Sequence, residues 1–212
     1  MSPFEETRNA KAGAKVVEAL EKRGFEAYYC ATGAEAKERC LSLIGKDDVI
    51  AWGGNTTAVE IGLMDEVKSG RYHVIDRDTA KSPEERMELM RKALLCDTYI
   101  AGINAMTADG QIINIDGNGN RVAAITFGPR SVILPVSMSK VCGTVEEALA
   151  RAREIAAPIN AQRFDVKTPC KMNGLCGDCL NSTTICNYIQ WIRRCNPPKK
   201  IKVILIGEKF GF

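Results

Sequence analysis

Apolar residues recur along the first half of the chain with two periods, one typical of helices and one typical of strands. Helical spacing predicts helices at 9–22, at 33–45, from about Thr57 onward, and at 83–95. Short apolar runs between these segments predict strands at 25–30, 47–55, 72–76 and 97–103. Because helices and strands alternate, we predict an α/β fold with a mostly parallel sheet and helices on both of its faces.

The middle of the chain interrupts this alternation. Asp109 and Gly110 form a tight-turn signature between two short extended pieces, which predicts an antiparallel hairpin over 105–116. Two further apolar stretches, 121–128 and 131–137, follow with no room for a crossover helix between them and are predicted to be buried strands.

The last third contains a cysteine-rich excursion between ordinary elements. A helix is predicted over 144–158, with acidic residues in its first turn and a proline after its last, and another over 183–195. The nearly apolar run 201–206 is expected to return as a strand to the main sheet. We therefore predict one domain over 1–212, which includes the excursion at 168–188.

Composition narrows the class of protein. The 212 residues are 45% hydrophobic and 26% charged, and the formal net charge of +3 is too small to indicate a nucleic-acid partner. No apolar run approaches the ~18 residues of a membrane span, and the N-terminus lacks the apolar core of a signal peptide. We expect a cytoplasmic protein without a membrane span, and self-association into a homo-oligomer stays open.

Two turns rich in glycine and small polar residues are the candidate ligand site. Glycine lets the backbone approach a ligand closely, and free N–H groups and an arginine favour anions. The first turn consists of Gly53, Gly54, Asn55 and Thr56. The second turn consists of Asn118, Gly119, Asn120 and Arg121. We predict that both bind one small anion. A plain structural turn is an equally good interpretation of the first turn alone.

Candidate catalytic and accessory residues lie beside these turns. Glu60 follows the first turn on a predicted helix, and Asp116 leads directly into the second. Carboxylates transfer protons or act as nucleophiles, so both are candidate catalytic residues. Asn104 and Thr107 are expected to line the same opening as neutral hydrogen-bonding groups. Replacing Arg121 by Met is expected to weaken anion binding and to leave the fold intact.

Four of the nine cysteines are concentrated in the excursion at 168–188, which we call the cysteine segment. They are Cys170, Cys176, Cys179 and Cys186. Four thiols this close together in a reducing compartment predict a bound metal. Their spacing matches neither the usual zinc ribbon nor the bacterial ferredoxin pattern, so zinc and an iron-sulfur cluster both remain open.

Several motifs together resemble the LUD domain of lactate-utilization proteins: GGNTTAVEIGL, GINAMTADGQIINIDGNGNRVAAITFGPR, CGDCLNSTTICN and VILIGEKFGF. The resemblance spans residues 5–212. It implies a fold related to ribose-phosphate isomerase, glucosamine-phosphate deaminase and coenzyme A transferase. It also implies a role, with partner proteins, in oxidising L-lactate to pyruvate without a nicotinamide cofactor.

The resemblance leaves three functional hypotheses. The first is a subunit that oxidises L-lactate or a related 2-hydroxy acid, for which a redox role favours an iron-sulfur cluster. Longer family members carry two cluster-binding repeats, whereas this chain has one four-cysteine block. The second is an isomerase or acyl-transferase-like enzyme that acts on a phosphate or coenzyme A ester and holds a structural zinc. The third is a binding module without turnover.

Overall fold

Ten strands form two sheets in the computed structural model, which describes residues 1–212. The strands are β1 Glu26–Cys30, β2 Val49–Trp52, β3 His73–Ile75, β4 Thr98–Ile100, β5 Ala105–Thr107, β6 Ile112–Asp116, β7 Ser131–Ser137, β8 Val141–Cys142, β9 Tyr188–Ile192 and β10 Ile201–Ile206. The main sheet is parallel, with the order β1-β10-β7-β4-β2-β3. The smaller sheet is mixed, with the order β8-β5-β6-β9.

Three sequence-based predictions of topology are confirmed. The main sheet is parallel, β5 and β6 form the antiparallel hairpin, and β10 returns to the main sheet between β1 and β7. The cysteine segment lies in the chain between β8 and β9, which both belong to the smaller sheet. No helix is both long and apolar enough to cross a bilayer.

The central strands of the main sheet, β10, β7, β4 and β2, are buried on both faces, as the near-continuous apolar runs predict. In β10, Val203 and Leu205 belong to one hydrophobic cluster, whereas Ile204 and Ile206 belong to another on the opposite face. Side chains of a strand alternate between its two faces, so this division marks two core layers around one sheet. The first layer also contains Met106 from the smaller sheet, so a continuous apolar core joins the two sheets.

The helices are α1 Pro3–Lys22, α2 Gly33–Ser42, α3 Thr56–Glu60, α4 Leu63–Val67, α5 Pro83–Lys92, α6 Asn120–Thr126, α7 Val145–Arg151, α8 Ala157–Ala161 and α9 Pro169–Asn173. α1 begins earlier than predicted because Ser2 and Glu5 form a capping box at its start. The helix predicted over 144–158 does not end at Pro158. A π-helical turn, Ala152–Ala156, joins α7 to α8 and accommodates the proline, which has no N–H to donate.

Two predicted elements are wrong. The stretch 121–128, expected to be a strand, lies mostly in α6. Ala124 and Ile125 of this helix are buried in the first core layer. β4 and β7 pair directly, so the main sheet has no space for a strand between them. The stretch 183–195, expected to be a helix, contains β9 instead, and β9 pairs with the edge of β6 that does not face β5. Short apolar runs are compatible with either structure, and tertiary pairing decides between them.

Gly110→Ala is expected to destabilise the protein by about 3 kcal/mol, because the hairpin turn packs against the backbone of α1. Gly110 has a positive φ of 89°, and a Cβ there would lie 3.0 Å from the backbone nitrogen of Leu20. Gly70 has nearly the same φ, 90°, with no atom within 4 Å of the added carbon. Gly70→Ala should therefore cost only the conformational strain, about 1 kcal/mol. Equal urea midpoints for the two variants would contradict this packing.

Candidate functional site

The two glycine-rich turns meet at one cleft, as the sequence-based site requires. The first turn follows β2, the second follows β6, and residues of both line an outer cleft of about 700 Å³. A Cβ on Gly53 would lie 3.0 Å from Cγ of Arg121, so glycine is what allows the two turns to approach each other. Their convergence, which sequence alone does not reveal, is thus a property of the fold.

Asp116 organises the second turn. Its carboxylate accepts hydrogen bonds from the backbone N–H groups of Asn118 at 3.1 Å, Gly119 at 3.0 Å and Val122 at 3.3 Å. These bonds fold the turn back on the end of β6 and hold the start of α6. A carboxylate that accepts this many N–H groups is a turn-forming group, so the structure gives Asp116 a clear positioning role.

Arg121 is the centre of a buried polar network. The side chain is only 12% exposed, and its Nε lies 3.5 Å from Oδ2 of Asp116. Its remaining N–H groups donate to Gly102 O at 2.6 Å, Asn114 Oδ1 at 2.9 Å, Asn104 Oδ1 at 3.2 Å and Ile115 O at 2.6 Å. Burial lowers the pKa of Arg121, an effect that the charge of Asp116 opposes. The sequence suggested that the Arg121 guanidinium binds an anion, but in the structure its N–H groups donate to acceptors within the protein.

An inner pocket of about 80 Å³ opens beside the first turn and shares several lining residues with the outer cleft. Its wall includes Gly54, Asn55, Asn104 and Lys140. Nearly all of its lining residues are polar or glycine, whereas the outer cleft also has apolar walls, including Trp52. The site therefore has two parts of different size and polarity.

Lys140 is the least expected residue of the inner pocket. It lies just after β7, is only 3% exposed, and forms no ion pair. Its Nζ is 3.3 Å from Oγ1 of Thr57 and 3.4 Å from the carbonyl oxygen of Ile103, which are both neutral and distant acceptors. Burial, and then the charges of Arg151 and Arg121, lower the pKa of Lys140 to about 7. An amine in this state is available to a ligand.

Asn55 offers a donor that is not paired within the protein. The residue is 8% exposed, and its Oδ1 caps α3 by accepting the N–H of Ala58 at 3.0 Å. Its Nδ2, which is buried, has no hydrogen-bond partner within the protein. Buried polar groups are almost always paired, so an unpaired amide on the wall of a pocket indicates a place for a ligand or a water acceptor.

The family of the chain is decided by a comparison with protein-family models. The model of the LUD domain matches residues 13–206. The chain belongs to the LUD domain family. This confirms the resemblance seen in the sequence motifs, and membership implies a role in lactate utilization.

Solved structures similar to this LUD domain support the fold. A DUF162 family protein from Deinococcus radiodurans is 14% identical, with 93% of this chain and 98% of that chain covered and a TM-score of 0.52. Ribose 5-phosphate isomerase A from Methanocaldococcus jannaschii is 16% identical, with 84% and 94% covered and a TM-score of 0.40. The first similarity concerns the fold alone, and the second is too weak to carry an inference. No curated protein sequence matches the chain significantly.

Two predicted site residues of the LUD domain lie in other surroundings. Glu60 is exposed at the end of α3, and its Oε2 accepts the N–H of Gly211 at 2.6 Å. The hydroxyl of Thr107 is engaged within the hairpin turn, where it bonds to Asp109 and accepts the N–H of Gln111 at 2.9 Å. Neither residue lines the inner pocket or the outer cleft. By contrast, Asn104 lines the pocket, and Asn118 and Asn120 line the cleft.

Sequence reasoning missed three polar side chains that line the inner pocket, those of Lys140, Asn160 and Arg163. Lys140 ends the short turn that follows the buried strand β7, and this position was a usable signal, because ligands bind beyond the carboxyl ends of parallel strands. Asn160 and Arg163 come from α8 and the residues after it, and their sequence context resembles any solvated helix end. Arg163 is exposed at the mouth, and its side chain donates one hydrogen bond, to Asn160 Oδ1 at 3.3 Å.

The cysteine segment borders the outer cleft of the LUD domain. Asn187 Nδ2 donates to the carbonyl of Gly117 at 3.0 Å, and Ile185 lines the cleft. Burial raises the pKa of the Cys186 thiol, and the nearby thiols of the other three cysteines raise it further. Of the four cysteines in the segment, Cys170 is buried and Cys176 is exposed. No three of their side chains converge in a geometry that would hold a metal ion.

Proposed function

We propose that this LUD domain protein binds a small 2-hydroxy or 2-oxo acid in the inner pocket, as a subunit of a system that oxidises L-lactate or a related acid. The observation that carries the proposal is a pair of donors in a polar pocket of a family linked to lactate utilization: the unpaired Asn55 amide and the Lys140 amine, which has only long hydrogen bonds to neutral acceptors. A compact carboxylate with an adjacent oxygen supplies acceptors for both.

The size of the pocket favours a ligand with few heavy atoms. Its volume of about 80 Å³ is well below the ~150 Å³ of an engineered cavity that binds benzene. Lactate and pyruvate each have fewer heavy atoms than a sugar phosphate. The first turn contributes Gly54, Asn55 and Thr56 to the same wall, and Gly54, which has no atom within 4 Å of an added Cβ, leaves room for a ligand there.

Oxidation of a 2-hydroxy acid removes two electrons and two protons and converts the C–OH carbon to a carbonyl. In our proposal the electrons pass to a redox centre of a partner subunit, and the outer cleft is where that centre approaches. The chain's own residues bind and orient the acid. Arg121 and Asp116 hold the two turns together, and Arg121, whose guanidinium already donates to protein acceptors, forms part of the wall of the inner pocket.

We also predict that the cysteine segment binds a metal, although its present geometry is not a preformed metal site. The four thiols of this segment, one of which is buried, are suitable ligands for zinc or for an iron-sulfur cluster once the segment rearranges around the metal. Anaerobically purified protein should contain stoichiometric metal, and the double variant Cys176→Ser, Cys179→Ser should lose it. Cys142→Ser, outside the segment, is the control and should keep it.

Iron with acid-labile sulfide in that sample would identify a cluster, and zinc would identify a structural ion. Wild-type protein without metal under reducing conditions would contradict the prediction.

Arg163→Met is expected to weaken pyruvate and lactate binding roughly 3- to 10-fold, because Arg163 is the exposed cation at the mouth of the pocket. Arg130→Met is the matched control, since Arg130 is also exposed but lines neither the pocket nor the cleft. Isothermal titration of both variants at low ionic strength measures the effect. An equal loss of affinity in the two variants would mean that the effect is due to net charge alone and that Arg163 is not part of the binding site.

A phosphate or coenzyme A ester is the second candidate ligand, and the outer cleft is the observation that favours it. The cleft of about 700 Å³ is within the range of pockets that hold large ligands, and Arg77 and Arg86 contribute cationic groups to it. The buried Nε of Arg77 has no hydrogen-bond partner. Titration with ribose 5-phosphate and acetyl-coenzyme A beside lactate and pyruvate separates the two candidates. Tighter binding of either large ligand than of both small acids would favour an isomerase or acyl-transferase-like function.

A further inference from the structure

We propose that Lys140 captures a 2-oxo acid covalently, as an imine between its Nζ and the keto carbon. The inference rests on the proposed function in one respect, which is that the inner pocket accepts a 2-oxo acid. It adds an activity that neither the family nor the proposed oxidation requires.

The geometry around Lys140 is that of a nucleophile and not of a structural cation. A structural buried lysine is held by a carboxylate or by several close carbonyl groups. Lys140 has only the Thr57 hydroxyl at 3.3 Å and one carbonyl at 3.4 Å, and it faces the pocket. Its lone pair can therefore be directed at a ligand.

A second buried lysine of the same chain provides the contrast. Lys200 is 7% exposed, and its Nζ donates to the carbonyl oxygens of Thr126 at 3.0 Å and Ile125 at 3.3 Å. It lines neither the pocket nor the cleft. Burial alone thus does not single out Lys140. Lys140 differs from Lys200 in lining the pocket and in having only long hydrogen bonds to its acceptors.

The charges around Lys140 favour the neutral amine. Arg151 and Arg121 are the cations that act on it, and both oppose its protonation. Glu60 is the acidic group that favours protonation, but its Oε2 already accepts the N–H of Gly211. Burial acts in the same direction as the arginines, so the pKa of Lys140 falls to about 7 and a large fraction of the amine is unprotonated at neutral pH.

The proposed step balances without an oxidant or reductant. The Nζ lone pair attacks the keto carbon and forms a C–N bond, and the keto oxygen takes up a proton to give a carbinolamine. Loss of water then forms the C=N bond, so that the amine and the 2-oxo acid yield the imine and one water. The Thr57 hydroxyl, 3.3 Å from Nζ, is placed to relay the proton. The unpaired Asn55 amide is the donor available to the ligand carboxylate.

Reductive trapping tests the inference on the whole protein. The protein is incubated with pyruvate and sodium cyanoborohydride, digested, and mapped by mass spectrometry. We expect the reduced pyruvyl adduct on Lys140 in most molecules, at least tenfold more than on Lys200. Lactate, which has no keto group, should give no adduct. Lys140→Arg should abolish the major adduct while titration shows whether pyruvate still binds.

The outcomes separate this inference from the proposed function. Pyruvate binding by titration without an adduct on Lys140 would overturn the imine and leave the proposed function in place. Absence of both pyruvate and lactate binding would overturn the proposed function. An adduct spread evenly over surface lysines would also overturn the imine, because it would reflect ordinary amine chemistry.

Discussion

Arg121→Met is expected to destabilise the protein by about 3 to 5 kcal/mol, because it breaks a buried charge pair and a hydrogen-bond network. The variant would leave the Asp116 carboxylate, in a residue only 8% exposed, without its cationic neighbour. It would also remove the donors to the carbonyl oxygens of Gly102 and Ile115, which Arg121 approaches to 2.6 Å. Each buried acceptor left unpaired adds a further cost.

Arg163→Met is the matched control for this measurement. Arg163 borders the same pocket but is exposed, so its replacement should change the free energy of unfolding by less than about 0.5 kcal/mol. Chemical denaturation of both variants gives the comparison. A stable Arg121→Met variant with weakened anion binding would restore the role that sequence alone assigned to Arg121, and would contradict the network described here.

Removing the Lys140 amine is expected to change how stability depends on pH. Folding lowers the pKa of this lysine from 10.5 to about 7, so between these values the unfolded chain binds more protons than the folded one. Stability therefore rises with pH across this window, by up to about 1.4 kcal/mol per pH unit, and the penalty is fully present at lower pH. In Lys140→Met this contribution is absent.

The stability difference between wild type and Lys140→Met isolates this contribution, because the other titrating groups are common to both proteins. We expect wild type to gain on the order of 2 kcal/mol relative to the variant from about pH 7.5 to about pH 9. Urea denaturation at several pH values measures it. A difference that does not vary with pH would mean that Lys140 keeps an ordinary pKa in the folded protein, and would remove the electrostatic support for a neutral amine.

Much of the fold followed from local patterns because the central strands of the main sheet are buried on both faces. Apolar runs such as 201–206 have no other stable environment in a chain of this size, so their return to the sheet was predictable. The hairpin at Gly110 was predictable for a different reason, since only glycine tolerates its φ at low cost.

The structures of 121–128 and 183–195 depended on contacts that local sequence does not encode. α6 forms because Asp116 and Gly119 start a helix at a point where the main sheet offers no free edge to a strand. β9 forms because one edge of β6 is free to pair with it. The candidate site shows the same division. Its glycine turns were visible in sequence, whereas the burial that lowers the pKa of Lys140 and the network that occupies Arg121 arise only when distant segments meet.

A crystal structure of the protein soaked with pyruvate or lactate tests the central claim most directly. Our account predicts a small acid in the inner pocket, with its carboxylate accepting a hydrogen bond from Asn55 Nδ2 and its second or keto carbon next to Nζ of Lys140. An acid bound elsewhere, or an empty pocket at saturating concentration, would contradict the account.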